Sequence, residues 1–258
     1  MQMPETRRRS EMPDPGALDH IVMALLVVVN PLYGAWEYRR LVRRIRAGEA
    51  NARGAEYRKT MLLSWTFTIG LVALWLGADR PAAVLGFALP GGVRLLAGAI
   101  ITILGLAFLS AQWRALSSMD EKGLEPLRAQ MAAVADLMPR TEREAAQFRL
   151  VSVSAGVCEE IVYRGYMIWY LAAFMGEWPA VILGALIFGL GHLYQGTDGV
   201  IKTGVTGLMM GILYVATGSL LWPVILHTAV DLHGGGDGPA RPDVRPGALA
   251  WRPQRTTV

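Results

Sequence analysis

The sequence has few charged residues. Asp, Glu, Lys and Arg make up 18% of its 258 residues, against about 25% in a typical soluble domain. Hydrophobic residues make up 53%, and they cluster into runs long enough to cross a bilayer as helices. This composition argues against a soluble protein and predicts a helical membrane protein with one compact domain.

Cysteine is almost absent, because Cys158 is the only one in the chain. A single thiol excludes an internal disulfide and any zinc finger built from cysteines. Cys158 adjoins Glu159, but no base can be assigned to it, so we interpret it as a small buried residue. The basic region at 37–60 lacks the interleaved stacking aromatics of a nucleic-acid surface, and we expect no nucleic-acid partner.

Seven apolar segments alternate with polar ones along the chain. They are predicted at 18–36, 61–78, 93–113, 148–175, 180–193, 200–217 and 220–233. The polar stretch 114–147 is expected to include an amphipathic helix at the membrane surface. The fold class is therefore all-α, a polytopic membrane protein of about seven transmembrane helices plus an interfacial helix. We expect Asn30-Pro31 to break the first segment.

The basic residues predict the orientation of the chain. With the loop at 37–60 in the cytoplasm, 19 of the 25 Lys and Arg lie on the cytoplasmic side and five lie outside, which fits the positive-inside rule. Residues 1–16 and 234–258 are predicted to be disordered tails, the C-terminal one cytoplasmic. A signal peptide is the alternative for the first segment, but no small-x-small cleavage site follows it.

Three charged residues interrupt the fourth apolar segment: Glu159, Glu160 and Arg164. A charge at the bilayer centre costs about 2.5–3.5 kcal/mol, whereas each Leu or Val returns only about 0.3–0.6 kcal/mol. The three charges therefore cancel the gain from roughly fifteen apolar residues. Ionisable residues at such a position need partners or water, and they indicate a functional site.

Other polar residues are predicted to lie at the same depth. In the orientation above, His192 lies at the cytoplasmic end of the fifth segment, and His227 and Asp231 lie in the cytoplasmic half of the seventh. His227 and Asp231 are four residues apart and share one helix face, as do Glu160 and Arg164. We therefore expect one polar cluster in the cytoplasmic half of the membrane.

The cluster has the composition of a hydrolytic site. One of two adjacent carboxylates can serve as a general base while the other supports the site electrostatically. Carboxylates and histidines around one cavity can hold a water molecule directly or through a divalent metal such as zinc. If a metal is present, its expected ligands are Glu160, His192, His227 and Asp231.

These residues resemble the motifs of the CAAX-processing and bacteriocin-processing (Abi) family of intramembrane endopeptidases. The resemblance covers roughly residues 145–233. Its three patterns, in order, are Glu159-Glu160-x-x-x-Arg164, Phe188-x-x-x-His192 and His227-x-x-x-Asp231. Asp231 stands where the prenyl-protein proteases have Asn, a departure that weakens the expectation of CAAX specificity.

The resemblance implies hydrolysis of a peptide bond by water. Glu159 would be the general base, and the second Glu of the motif together with Arg164 would order the site. His192 would orient the water or polarise the carbonyl. His227 and Asp231 would complete the cavity and stabilise the oxyanion.

We therefore predict an intramembrane endopeptidase of the cell membrane, glutamic-type or metal-assisted. Residues 17–147 would be scaffold and 148–233 the catalytic core. The expected substrate is a membrane protein or a lipidated or hydrophobic peptide, cut near the cytoplasmic interface of the bilayer. The alternatives are a non-enzymatic immunity or scaffold protein that retains the site, and a transporter. The outer halves of the last three segments hold almost no ionisable residues, which argues against a transport path.

Overall fold

The structure is a computed structural model that describes residues 13–236. Within that range the chain forms eight helices, joined by turns and short helical segments, and no strand. The helices are α1 Ala17–Arg46, α2 Ala52–Gly77, α3 Gly92–Ser117, α4 Glu121–Gln130, α5 142–175, α6 Glu177–Gly191, α7 Gly196–Thr217 and α8 Leu221–Asp231. Most of the two tails predicted to be disordered, 1–16 and 234–258, lies outside the described residues.

The predicted all-α, multi-pass membrane architecture is confirmed. Four helices are long and apolar enough to cross a membrane: Ala17–Arg46, Ala52–Gly77, Gly92–Ser117 and Leu193–Thr217, the last being α7 with the 3₁₀ turn before it. The helix α6 has only 15 residues. The three polar motifs lie on α5, on α6 with its C-cap His192, and on α8. The short α4 accounts for the helix expected within 114–147.

The prediction that residues 37–60 form a loop is wrong, because both flanking helices continue into this range. The helix α1 continues through Asn30-Pro31, which leaves only residues 47–51 as a turn before α2. Proline lacks the amide hydrogen that a regular helix needs. Here it follows a π-helical turn, Leu25–Val29, where the regular hydrogen-bond ladder is already interrupted, so the helix tolerates it.

The helix α5 lies at the centre of the bundle. It packs against α2, α6 and α8, while α7 packs on α6 and α8 also packs on α3. The fully buried Met167 of α5 lies in the same hydrophobic core as Trp75 of α2 and Val181 of α6. By contrast, α3 exposes much of its apolar surface, as a lipid-facing helix does.

A buried ion pair fastens the start of α1 to the loop between α2 and α3. Arg80 donates to Asp19 Oδ1 at 2.8 Å and to Oδ2 at 2.6 Å, and Asp19 is only 2% exposed. The Tyr166 hydroxyl of α5 donates to the same carboxylate at 2.9 Å. The Arg80 guanidinium also lies 4.6 Å from the ring centroid of Trp169. This Asp19 latch therefore holds α1, the loop and α5 together.

We expect Asp19→Ala to destabilise the protein by about 3–5 kcal/mol, because it leaves Arg80 buried without its partner. Thermal unfolding in detergent micelles, followed by tryptophan fluorescence, measures the change. The control is Asp14→Ala. Asp14 is exposed, and it contacts Arg80 through its backbone oxygen and not through its carboxylate. That variant should stay within about 0.5 kcal/mol of wild type, and equal stability of the two variants would contradict the assignment.

Candidate active site

The polar residues of α5 lie where the helix widens. Residues Glu160–Met167 form a π-helical segment in which all eight residues are buried, and such segments frequently occur at functional sites. Glu160 is fully buried and Arg164 is 2% exposed, whereas the side chain of Glu159 is 30% exposed. The two adjacent carboxylates therefore occupy different surroundings, one in the packed core and one on an open side.

Glu160 holds His227 in a fixed orientation. His227 Nδ1 lies 2.6 Å from Glu160 Oε1, and Arg164 Nη1 lies 3.1 Å from the same oxygen. Since an ionised carboxylate can only accept, Nδ1 of the imidazole carries the hydrogen. The Arg164 guanidinium also packs 4.3 Å from the ring centroid of Phe188. The predicted Glu160–Arg164 pair is thus present, and α8 joins it through His227.

The second nitrogen of His227 faces two other carboxylates. His227 Nε2 lies 3.8 Å from Glu159 Oε2 and 3.8 Å from Asp231 Oδ2. These separations are too long for hydrogen bonds. Glu159 Oε2 is itself buried and accepts no hydrogen bond from the described residues, whereas the Asp231 side chain is 34% exposed. Three polar side chains from two helices therefore meet next to a partly exposed edge of the site.

His192 joins the site through an aromatic ring. Its Nδ1 lies 2.9 Å from the Phe188 carbonyl oxygen, which can only accept, so Nδ1 donates and Nε2 of the neutral ring keeps its lone pair. The Phe188 ring centroid lies 4.7 Å from that of His192 and 6.0 Å from that of His227. The structure thus brings all six predicted residues into one region. His192 is the outermost of them, because it contacts the Phe188 ring, which in turn contacts His227.

Glycines let the helices approach closely enough to form the site. A Cβ atom added to Gly156 of α5 would overlap Thr228 Oγ1 and lie 3.0 Å from the Thr228 backbone nitrogen in α8. A Cβ added to Gly207 of α7 would lie 2.8 Å from Phe188 and 3.4 Å from Arg164 Nη2. The absence of a side chain at residue 156 therefore lets α5 and α8 approach closely, next to the contact between Glu160 and His227.

Two tyrosines that are not among the predicted site residues lie near the site. The Tyr194 ring lies 5.9 Å from the ring of His192, and the Tyr163 ring lies 4.9 Å from that of Phe188. Asn30 of α1 donates to the Tyr163 hydroxyl at 3.0 Å. An Asn within an apolar segment is a visible signal, but the tyrosines resemble ordinary core residues, so only the structure identifies them.

The expected metal ligands do not converge. Glu160 lies at Nδ1 of His227 and Asp231 lies at Nε2, so the imidazole ring separates the two carboxylates. Among residues 13–236, no group of three or more His, Cys, Asp or Glu is arranged to hold a metal ion. The four residues Glu160, His192, His227 and Asp231 are therefore not gathered around one point in the described part of the chain.

A family model described as type II CAAX prenyl endopeptidase Rce1-like matches residues 141–233. The match begins at Thr141, whose hydroxyl caps α5 by accepting from the Glu144 amide at 3.1 Å. It extends through α6 and α7 into α8 and leaves α1–α4 outside. The match confirms the resemblance that the three motifs carry. Comparisons with curated proteins and with solved structures gave no match.

We expect Gly156→Ala to destabilise the protein by about 1–3 kcal/mol, because the added methyl group separates α5 from α8. The control is Gly70→Ala in α2, where an added Cβ has no atom within 4 Å. The control should be neutral or gain about 0.5–1 kcal/mol, since alanine favours helix more than glycine. Thermal unfolding in micelles measures both, and equal melting temperatures would contradict the close contact.

Proposed function

We propose, from the match of residues 141–233 to the family model described as type II CAAX prenyl endopeptidase Rce1-like, that this membrane protein hydrolyses a peptide bond with water activated by Glu159. The observation that carries the proposal is the division of carboxylates around His227. Glu160 binds Nδ1 and is fully buried, whereas Glu159 is partly exposed and faces Nε2. Of the two adjacent carboxylates, Glu159 is therefore the one whose side chain is partly exposed, and its Oε2 has no hydrogen-bond partner among the described residues, which leaves it able to accept from water.

In the proposed reaction, Glu159 accepts a proton from water while the water oxygen attacks the peptide carbonyl carbon. The carbonyl π electrons move to oxygen and give a tetrahedral oxyanion. When the oxyanion collapses, the bond between carbon and nitrogen breaks, and Glu159 passes its proton to the leaving amine. The products are a new carboxyl terminus and a new amino terminus, and Glu159 returns to its starting state.

The histidines have separate tasks in this scheme. The Nε2 lone pair of His192 accepts a hydrogen bond, which suits it to orient the attacking water rather than to polarise the carbonyl. His227, held by Glu160, directs Nε2 toward the reacting atoms and donates to the oxyanion when that nitrogen is protonated. Asp231 lies 3.8 Å from the same nitrogen, and as an ionised acceptor it supports the oxyanion only through His227.

The substrate class follows from where the site lies. The site is enclosed by membrane helices near the end of the bundle where α1 ends in arginines, and we assign that end to the cytoplasm from the basic residues. A membrane protein or a lipidated or hydrophobic peptide can present a segment there from within the bilayer. Most of the buried charged side chains among the described residues lie either at this site or in the Asp19 latch, where Asp19 is already paired with Arg80. Charges confined to these two places do not form a path across the membrane, which favours hydrolysis over transport.

Glu159→Gln should reduce cleavage by about 10²–10⁴-fold, because it removes the general base while keeping the shape of the side chain. Mass spectrometry of protein termini, in membranes carrying wild type or the variant, detects termini that depend on the enzyme. Glu177→Gln, the same change at the start of α6, is the matched control and should cleave normally. Unchanged termini in membranes with Glu159→Gln would refute Glu159 as the base.

We further propose that no protein-bound metal is obligatory, because the candidate ligands lie on opposite sides of the His227 ring. Once a cleaved substrate is identified, dialysis against a chelator should leave its cleavage rate unchanged, and elemental analysis should find less than one metal per chain. A loss of activity that zinc restores would contradict this. The variant Glu160→Gln then tests whether Glu160 stabilises the fold or binds a metal. If Glu160 stabilises the fold, the variant should have a lower melting temperature whether or not zinc is present.

A further inference from the structure

The exposed face of α1 changes in composition along the helix. Its first part exposes Leu25, Val28 and Leu32, each at least 43% accessible. The pair of Tyr33 and Trp36 follows, with ring centroids 5.9 Å apart. The last turns then expose three arginines, Arg39, Arg43 and Arg46. This order of aliphatic, aromatic and cationic side chains matches the passage from hydrocarbon to headgroups at a membrane surface.

The last turns of α1 also form a groove of about 450 Å³. It is lined by Trp36, Tyr38, Arg39, Val42, Arg43 and Arg46. The groove is shallow and widely open, because only α1 lines it, and it has both an apolar and a cationic part. It therefore has room for a charged headgroup next to a region that acyl chains can contact.

The acidic residues nearby are already paired with other cations. Lys59 lies 2.5 Å from Glu37 and 2.7 Å from Glu56. Arg44 hydrogen bonds to Glu49, which lowers the pKa of the Glu49 carboxyl. Within the described part of the chain, Arg39, Arg43 and Arg46 form no ion pair. The groove therefore carries three positive charges that no residue in the range 13–236 pairs.

We propose that this α1 groove binds the phosphate headgroup of an anionic phospholipid. Guanidinium groups bind phosphate oxygens through paired hydrogen bonds. The aliphatic stripe next to the groove contacts acyl chains, which a free anion or an acidic peptide does not supply. A lipid is thus the ligand whose charge and apolar part both fit the arrangement along α1.

The groove lies close to the candidate active site. On the side of α1 facing the bundle, an added Cβ at Gly34 would lie 3.8 Å from the Gly191 oxygen. The Tyr38 ring lies 5.7 Å from that of Tyr194, which in turn lies 5.9 Å from His192. A bound headgroup therefore fixes the depth of α1 beside the turn that carries His192. This proposal does not depend on the protein being a peptidase.

The test is a titration of the full-length protein, in neutral detergent micelles, with a fluorescent phosphatidylglycerol followed by anisotropy. The triple variant R39Q/R43Q/R46Q should bind it at least about ten-fold more weakly, since each cation near the surface contributes to anionic lipid binding. Binding by wild type should also fall as ionic strength rises. Fluorescent phosphatidylcholine should bind wild type and variant equally weakly.

The matched control, R58Q/R114Q/K122Q, removes three exposed cations elsewhere and should stay within about two-fold of wild type. Equal melting temperatures of the two triple variants establish that both are folded. Unchanged affinity in the groove variant, or an equal loss in the control, would overturn the proposal. Full displacement of the lipid by inorganic phosphate would instead assign a free anion, and full displacement by an acidic peptide would assign a protein ligand. Either result also overturns it.

Discussion

The hydrogen bond between Glu160 and His227 is the interaction on which the site depends. It joins a fully buried carboxylate of α5 to an imidazole of α8 over 2.6 Å, beside Arg164. An unpaired charge at this depth would cost several kcal/mol, so each of the three side chains is tolerated only because the others are there. The same bond leaves the second imidazole nitrogen between Glu159 and Asp231. The pairing that makes the buried Glu160 tolerable thus also orients His227 for its proposed role.

Much of the arrangement of the candidate site could be predicted from the free-energy cost of a charge in a membrane and from helix periodicity. Glu160 and Arg164 are four residues apart, and they pair as that spacing predicts. Glu159 faces a different side from Glu160 because successive helical residues are about 100° apart. The lengths of the apolar runs placed His192 and His227 at a similar depth. These features follow from local helix geometry and from the free-energy cost of an unpaired charge in the membrane.

Other features could not be predicted, because they depend on irregular backbone or on contacts between distant helices. Local rules treated Asn30-Pro31 as a break, whereas the preceding π turn allows α1 to continue. The same rules could not reveal the π segment Glu160–Met167. Spacing along a helix also does not determine which nitrogen of His227 faces which carboxylate. Gly156 was visible as a small residue, but its contact with Thr228 was not.

The shortness of α6 has a consequence for the lipids around it. Its 15 residues rise about 22 Å, whereas the hydrocarbon core is about 30 Å thick. A bilayer can accommodate such a mismatch by local thinning, which would bring headgroups and water closer to the end of α6. His192 is the residue at that end. The thickness of the surrounding bilayer would then set how far His192 lies below the headgroups.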